Sequence, residues 1–273
     1  MSKNLKLATV VVCWYPDDEL LLNIASYSSG SDLLYVWDNT PGGSSLVDSI
    51  QDAIVLNRGK QNMGLAFAYN RAIELAEQQG ATHIMTMDQD SRFVNFTYFR
   101  HRLGMHPNDM VCPPLNSSSV TDDRIVSYAA QSGCVFPLEM IKQVGGFRED
   151  FFIGMVDVEM QVKAQDAGFK ILQIGGCSLI HHVGSERVVY LFRHPIAVSD
   201  YTPLRYYYDS RNRILMWKEF PDDYDLQHKI EHLLGRIKVM IKVWLFEDCK
   251  ISKTKAIVRG TINGFLNRLE PFN

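Results

Sequence analysis

The 273-residue chain lacks any apolar run approaching the ~18–20 residues that a membrane-crossing helix needs, so no transmembrane helix is expected. It lacks CxxC spacing. Its five cysteines, at positions 13, 112, 134, 177 and 249, are odd in number and dispersed, which argues against a disulfide frame or a zinc site and for free thiols in a reducing compartment. No secretory leader is expected, since Met1-Ser2-Lys3-Asn4-Leu5-Lys6 leads straight into an apolar segment, and a cytoplasmic location is the expectation. It lacks an excess of positive charge. With 28 Lys and Arg against 31 Asp and Glu, the net charge of −3 argues against nucleic acid as a partner. Internal repeats, low-complexity tracts and obvious linkers are also missing. What is there is 46% apolar and 22% charged, the make-up of an ordinary globular protein with ample length for one large α/β domain, or one domain and an appendage.

Residues 7–14 are apolar and β-branched and predict a first strand. Pro16-Asp17-Asp18 then turns into a helix over 19–27. Strands are predicted at 32–37, 54–57 and 83–87, with a helix at 64–79 that Gly80 stops. The order β-α-β-β-α-β implies a mostly parallel sheet. Further on, a strand at 132–137 and a helix at 138–144 are expected. A helix at 157–167 and strands at 170–174 and 178–180 follow, and 226–269 is mostly helical and basic.

The most informative feature is Asp88-Gln89-Asp90, which closes the apolar strand His83-Ile84-Met85-Thr86-Met87. Two carboxylates one residue apart at a strand end can hold a hard divalent cation against a diphosphate, and open α/β sheets gather ligands at those ends. At the end of the second strand, Asp38-Asn39 suits either a nucleobase edge or ribose, or a turn held by local hydrogen bonds. Asn62-Met63-Gly64 opens a helix whose amides can face a phosphate or sugar, or are simply capped. Asp157 follows the apolar run 151–156, an environment suited to a general base, and Glu159 beside it suits helix N-terminal charge. His181-His182-Val183-Gly184 offers an imidazole to a metal or phosphate. In Arg205-Tyr206-Tyr207-Tyr208-Asp209-Ser210-Arg211, arginine forks suit a diphosphate, while the same stretch suits an ordinary helix start.

Taken in order, these motifs resemble the family 2 glycosyltransferases of the GT-A fold, in particular their bacterial rhamnosyltransferase-like branch. The resemblance spans roughly residues 7–216. It rests on Val11-Val12-Cys13-Trp14-Tyr15-Pro16, Trp37-Asp38-Asn39-Thr40, Asn62-Met63-Gly64 with Ala68 and Asn70, and Asp88-Gln89-Asp90-Ser91. It continues through Ser132-Gly133-Cys134, Gly145-Gly146-Phe147, Val156-Asp157-Val158-Glu159, His181-His182-Val183-Gly184 and Tyr206-Tyr207-Tyr208 with Arg211-Asn212. The chain departs from the family where Val156 replaces a common acid and where Trp37-Asp38-Asn39-Thr40-Pro41 replaces Val-Asp-Asn-Gly-Ser.

The resemblance implies an α/β GT-A catalytic domain over 1–220, with a mostly parallel central sheet flanked by helices. Its nucleotide-sugar half covers about 1–95 and its acceptor half about 96–220, and a helical C-terminal extension covers 221–273. Asp38, Asn39, Asn62, Gly64, Asp88 and Arg211 would bind a nucleotide diphosphate-sugar donor. Asp90 and His181 would hold Mg²⁺ or Mn²⁺, and Asp157 would deprotonate the acceptor hydroxyl in a single inverting displacement. The implied reaction moves L-rhamnose from dTDP-L-rhamnose to a glycan or lipid-linked saccharide in surface polysaccharide synthesis. The alternatives are a UDP-hexose donor or a catalytically silent sugar-nucleotide-binding domain. In the extension, Leu233, Leu234, Ile237, Met240, Ile241, Trp244 and Leu245 form an apolar stripe flanked by Arg236, Lys238 and Lys242. Such a stripe suits a membrane surface, packing on the catalytic domain, or a homodimer.

Overall fold

A computed structural model describes residues 5–117, 119–181, 187–191 and 193–272. In chain order these form β1 (Leu7–Cys13), α1 (Glu19–Ala25), β2 (Leu33–Asp38), α2 (Ser45–Asp48), β3 (Ile54–Leu56), α3 (Leu65–Gln78), β4 (His83–Asp88), β5 (Ser91–Val94) and α4 (Phe96–Leu103). Then come β6 (Met110–Cys112), β7 (Arg124–Val126), β8 (Cys134–Pro137), α5 (Leu138–Val144), α6 (Val156–Asp166), β9 (Ile171–Gln173) and β10 (Ser178–His181). The chain ends with β11 (Arg187–Leu191), β12 (His194–Val198), α7 (Pro203–Glu219), α8 (Leu226–Phe246) and α9 (Lys250–Phe265). Contacts divide it into two units, Met1–Glu149 with Val156–His182, and Asp150–Met155 with Val183–Asn273.

The first unit is built on a mixed, mostly parallel eight-stranded sheet of order β3-β2-β1-β4-β8-β6-β9-β7. Strands β3, β2, β1 and β4 run parallel, and β8 is antiparallel to both β4 and β6. All seven residues of β1 are buried, as a continuous apolar strand at the middle of a parallel sheet requires. Helix α3 turns Ala66, Ala68, Tyr69, Ala72, Ile73 and Ala76 inward, a helical stripe dominated by alanine. The register carries the consequence for function: Val12 lies beside Asp88 and Cys13 beside Asp38, so β2, β1 and β4 end in step. A separate ribbon pairs β5 with β10 antiparallel and sets Ser91 opposite His181.

The predicted strands and helices of the first unit are present within a few residues. Strands β5, β6 and β7 and helices α2 and α4 are not among the expected elements; α2 has four residues, β6 and β7 have only three each, and β5 alternates buried and exposed directly after a polar loop.

The second unit holds the β11–β12 hairpin and helices α7, α8 and α9. Helix α7, read from sequence as part of the first 220 residues, shares its contacts with the C-terminal helices. It meets α9 backbone to backbone: a Cβ placed on Gly260 would collide with the Tyr207 carbonyl oxygen, and one on Gly264 would lie 2.8 Å from the Arg211 carbonyl oxygen. Helix α8 is held by polar clamps. Arg236 pairs with Asp209, which also takes Arg213 at 3.0 Å, and Trp217 meets His232 edge-on. Trp244 Nε1 donates to Thr254 Oγ1 at 3.0 Å. Val243 is the one α8 residue that is buried.

Gly260→Ala should lower the stability of the chain by about 1–3 kcal/mol, because the added methyl forces α7 and α9 apart. Urea denaturation checks this. Gly235→Ala, at a site with nothing within 4 Å of the added Cβ, should leave stability unchanged or raise it.

Candidate active site

The carboxyl ends of β2, β1 and β4 form one continuous edge because side chains bridge the loops that leave them. Gln89, between the two aspartates, takes the Trp14 N–H on Oε1 at 2.7 Å and donates from Nε2 to the Trp14 carbonyl at 3.2 Å. Tyr15 N–H donates to Thr40 Oγ1 at 3.0 Å, and Asn39 N–H donates to the Cys13 carbonyl at 2.9 Å. Trp14 and Tyr15 stack edge to face on this rim and are 45% and 62% exposed, so two flat apolar rings stand beside the acidic loop. Their motif was legible in sequence; their exposure was not.

Asp88, Asp90 and His181 come together. One ligand atom from each lies within 4.8 Å of the others, in a half-buried setting. His181 Nδ1 is 3.3 Å from Asp90 Oδ1, and Nε2 is 4.0 Å from Asp88 Oδ2. Asp90 Oδ1 is shielded from solvent and, apart from the His181 ring 3.3 Å away, has no hydrogen-bond partner among the described residues, as suits an oxygen that could ligate a cation. Two carboxylates and an imidazole form a donor set suited to Mg²⁺ or Mn²⁺, with coordination positions left over for diphosphate oxygens.

His181 is fixed from several sides. Ser91 Oγ lies 2.7 Å from Nδ1, and Ser132 Oγ donates to Ser91 Oγ at 2.7 Å while accepting the Asp88 N–H at 3.0 Å. Asn116 brackets the His181 peptide, taking its N–H at 3.0 Å and donating to its carbonyl at 2.9 Å. The Asp90 carboxylate beside the ring pushes the imidazole pKa up; burial works the other way, and the charges of Asp88 and Asp90 add to the rise. Nothing in the sequence points to Asn116, to the contact of Ser91 with His181, or to the support that Ser132 gives Ser91. The rest of the histidine motif, from His182 to Gly184, lies outside the described residues.

Asp157 opens α6, and its Oδ2 accepts the Tyr128 hydroxyl at 2.5 Å. Gln161, one turn along, grips the loop carrying Tyr128: it takes the Ala129 N–H at 2.9 Å and donates to the Ala129 carbonyl at 2.7 Å. The buried Tyr69 phenol, raised first by burial, also feels the charges of Asp88 and Asp157, as does the buried Cys134 thiol. The base candidate thus belongs to the same part of the unit as the acidic loop. Glu159 is buried and pairs with Lys163 at 3.1 Å, which fits a structural role.

Other predicted donor contacts sit differently. Asp38 is fully buried, and its two oxygens accept the N–H groups of Thr40 at 2.9 Å and Ser44 at 2.7 Å, so its carboxylate shapes the loop. Asn39 Oδ1 accepts from Trp37 Nε1 at 2.9 Å and from Met63 N–H at 3.0 Å, tying the β2 end to the start of α3. Asn62 Oδ1 accepts the Gly64 N–H at 2.9 Å, and Gly64 has φ +82°, which a glycine adopts without strain. These four residues come together as a scaffold of the rim. Arg211 differs from these four. It lies in the second unit, fully buried, and its guanidinium donates to the carbonyls of Glu270 and Asp150 and to Asn212 Oδ1. A fork so enclosed has no face left for a diphosphate.

Two outcomes follow for the acidic cluster. Ser91→Ala should weaken Mn²⁺ binding by about 10–100-fold, because the ring loses the hydroxyl that orients it. Calorimetry with the nucleoside diphosphate reads it. Because a ligating imidazole must be deprotonated, a cation held by His181 would replace the proton that Asp90 and Asp88 favour there. Mn²⁺ affinity should therefore climb by about tenfold per pH unit below the raised pKa and level off above it. His181→Gln should bind more weakly and lose most of that slope.

No protein-family model matches the sequence. The chain is similar to the dTDP-rhamnosyl transferase RfbF of Shigella flexneri, with 25% identity over 186 residues, covering 58% of this chain and 61% of that protein. The chain thus spans less than two thirds of that relative. Among solved structures it resembles S. aureus TarS, with a TM-score of 0.54 and 11% identity over 89% of this chain and 44% of that one. For TarS 1–349 in complex with UDP-GlcNAc the TM-score is 0.56 at 12% identity, over 97% of this chain and 83% of that one. GalNAc-T7 with UDP, GalNAc and Mn²⁺ gives 0.56 at 12% identity, over 81% and 50%. The mixed sheet, the helical C-terminal region and these likenesses give the chain the GT-A fold of glycosyltransferases.

Proposed function

We propose that the chain is an inverting glycosyltransferase that moves a sugar from a nucleotide diphosphate donor to a hydroxyl of a glycan or lipid-linked saccharide in surface polysaccharide synthesis. The observation that carries this reading is the convergence of Asp88, Asp90 and His181 at the carboxyl edge of the parallel strands. The likeness to a relative named for dTDP-rhamnose supports L-rhamnose as the sugar. A UDP-hexose donor is the second reading, favoured by the UDP and UDP-GlcNAc in the names of the two structural neighbours.

In this reading the rim receives the donor. The exposed Trp14 and Tyr15 rings offer a stacking face for the base, and Asp88, Asp90 and His181 face the diphosphate. A bound Mg²⁺ or Mn²⁺ supplies positive charge where the leaving diphosphate gathers negative charge. The acceptor hydroxyl attacks the anomeric carbon as the bond to the diphosphate oxygen breaks, and Asp157 takes the hydroxyl proton. Tyr128 holds Asp157 Oδ2, which fixes the carboxylate and leaves its other oxygen for that proton. One base and one displacement invert the configuration.

Asp157→Asn should lower turnover by about 10²–10⁴-fold while sparing donor affinity, because the amide cannot take a proton. Glu159→Gln should be milder. Near-normal turnover in Asp157→Asn with a dead Glu159→Gln would move the base two residues along. Donor identity is tested by thermal shift with dTDP-L-rhamnose, UDP-glucose, UDP-galactose and UDP-galactofuranose in the presence of Mn²⁺, since a bound ligand stabilises the native state by mass action. No shift with any of them would count against the enzyme reading.

A further inference from the structure

Helix α8 presents its apolar stripe to solvent. Leu226, Ile230, Leu234, Ile237, Ile241 and Trp244 recur at helical spacing along one side, and Leu226 and Ile241 are 72% and 54% exposed. The stripe runs for roughly 30 Å. Helix α9 adds Val258, Ile262 and Phe265, also exposed and on a single side. The two helices adjoin, since Trp244 donates to Thr254. Apolar exposure on this scale exceeds the scattered side chains of an ordinary monomer surface.

The charges choose the occupant. Helices α8 and α9 carry eight lysines and arginines and one acid, Glu231; Arg236 is paired with Asp209 and the buried Lys253 with Asp200 and Glu247, which leaves six cations for a partner in a chain whose net charge is −3. Lys238 and Lys242 border one side of the α8 stripe and Lys229 the other. A groove of about 740 Å³ along α9 combines Val258, Ile262 and Phe272 with three cations, Lys255, Arg259 and Arg268, against one acid, Glu270. Apolar walls with cationic margins match an amphiphile with a negative headgroup. A second copy set face to face on this surface would oppose like charges. Among the described residues no helix is long and apolar enough to cross a membrane, so the surface suits lying in an interface.

We propose that the α8–α9 face of the second unit docks on an anionic phospholipid surface, with the apolar stripe in the acyl boundary and the flanking lysines among the headgroups. The proposal does not depend on the sugar-transfer reading, because vesicle binding and nucleotide binding are measured separately.

The test is flotation of the full chain with vesicles of phosphatidylcholine alone or mixed with phosphatidylglycerol, at low and high salt. The chain should float with the anionic vesicles at low salt, and less so at high salt. Lys238→Glu and Lys255→Glu should each weaken this binding by at least about fivefold, the effect of one cation near such a surface. The triple variant Leu234→Glu, Ile237→Glu, Ile241→Glu changes only exposed side chains, so it should keep the melting temperature and Mn²⁺–nucleotide affinity of the parent and lose flotation. Absence of flotation with anionic vesicles at low salt would overturn the proposal. So would flotation that the triple variant retains. A dimer in sedimentation analysis that the triple variant abolishes, without vesicle binding, would assign the face to a second copy instead.

Discussion

The antiparallel register that sets Ser91 opposite His181 is the constraint on which the acidic cluster depends. Ser91 follows Asp90 directly, so the strand that pairs with β10 also fixes where the Asp88-Gln89-Asp90 loop must end. A histidine ninety positions away in sequence is thereby brought beside two aspartates, with its ring held by Ser91 and its peptide by Asn116. A slip of one residue in this ribbon would turn the imidazole to the opposite face and disperse the cluster. Ser132 reinforces the register from a third direction, because its hydroxyl joins the Asp88 backbone to Ser91. The precision of the site therefore comes from short strands and hydroxyl contacts attached to the main sheet.

Electrostatics explains why such restraint is needed. Two carboxylates beside one imidazole repel one another unless a positive charge lies among them. Without a cation the proton on His181 supplies part of that charge, which is the origin of its raised pKa. A divalent ion placed among them would be favoured by the same carboxylates. The rim beside them is already tied by Gln89, Thr40 and Asn39, so a ligand meets loops that are largely ordered, and the entropic cost of binding falls.

Much of this was readable in the sequence, for identifiable reasons. The central strands declare themselves because both faces are buried, and Asp88 and Asp90 stand out as acids at the end of such a run. Asp157 is singled out in sequence by the apolar run before it and by its motif, whereas its partner Tyr128 lies in a loop with no periodicity of its own. Burial was the harder quantity. Asp38, Asn39 and Arg211 have side chains that can bind a ligand or satisfy backbone groups, and a sequence gives the side chain without saying which. In Asp38 the backbone N–H groups of a tight loop take the hydrogen bonds, and in Asn39 a backbone N–H and the Trp37 indole do. In Arg211 carbonyl oxygens and Asn212, with the Tyr208 ring 4.7 Å away, compensate a cation deep in a helical unit. The amphipathic pattern of α8 was legible as well, but periodicity marks an apolar side without telling whether the rest of the chain covers it.

The two units also show how a whole-chain average can mislead. A net charge of −3 suggests a chain with little attraction to polyanions. The strand-end aspartates and the cationic helices cancel in that sum while belonging to different units. Screening acts over about 8–10 Å in physiological salt, so a partner responds to the charge near its contact and hardly to the total. The strand-end carboxylates thus present a demand for a cation, and the α8–α9 face an attraction for anions, each set by its own neighbourhood. The apolar stripe sharpens the distinction, because the lysines beside it are worth most to a partner that also takes hydrophobic surface out of water.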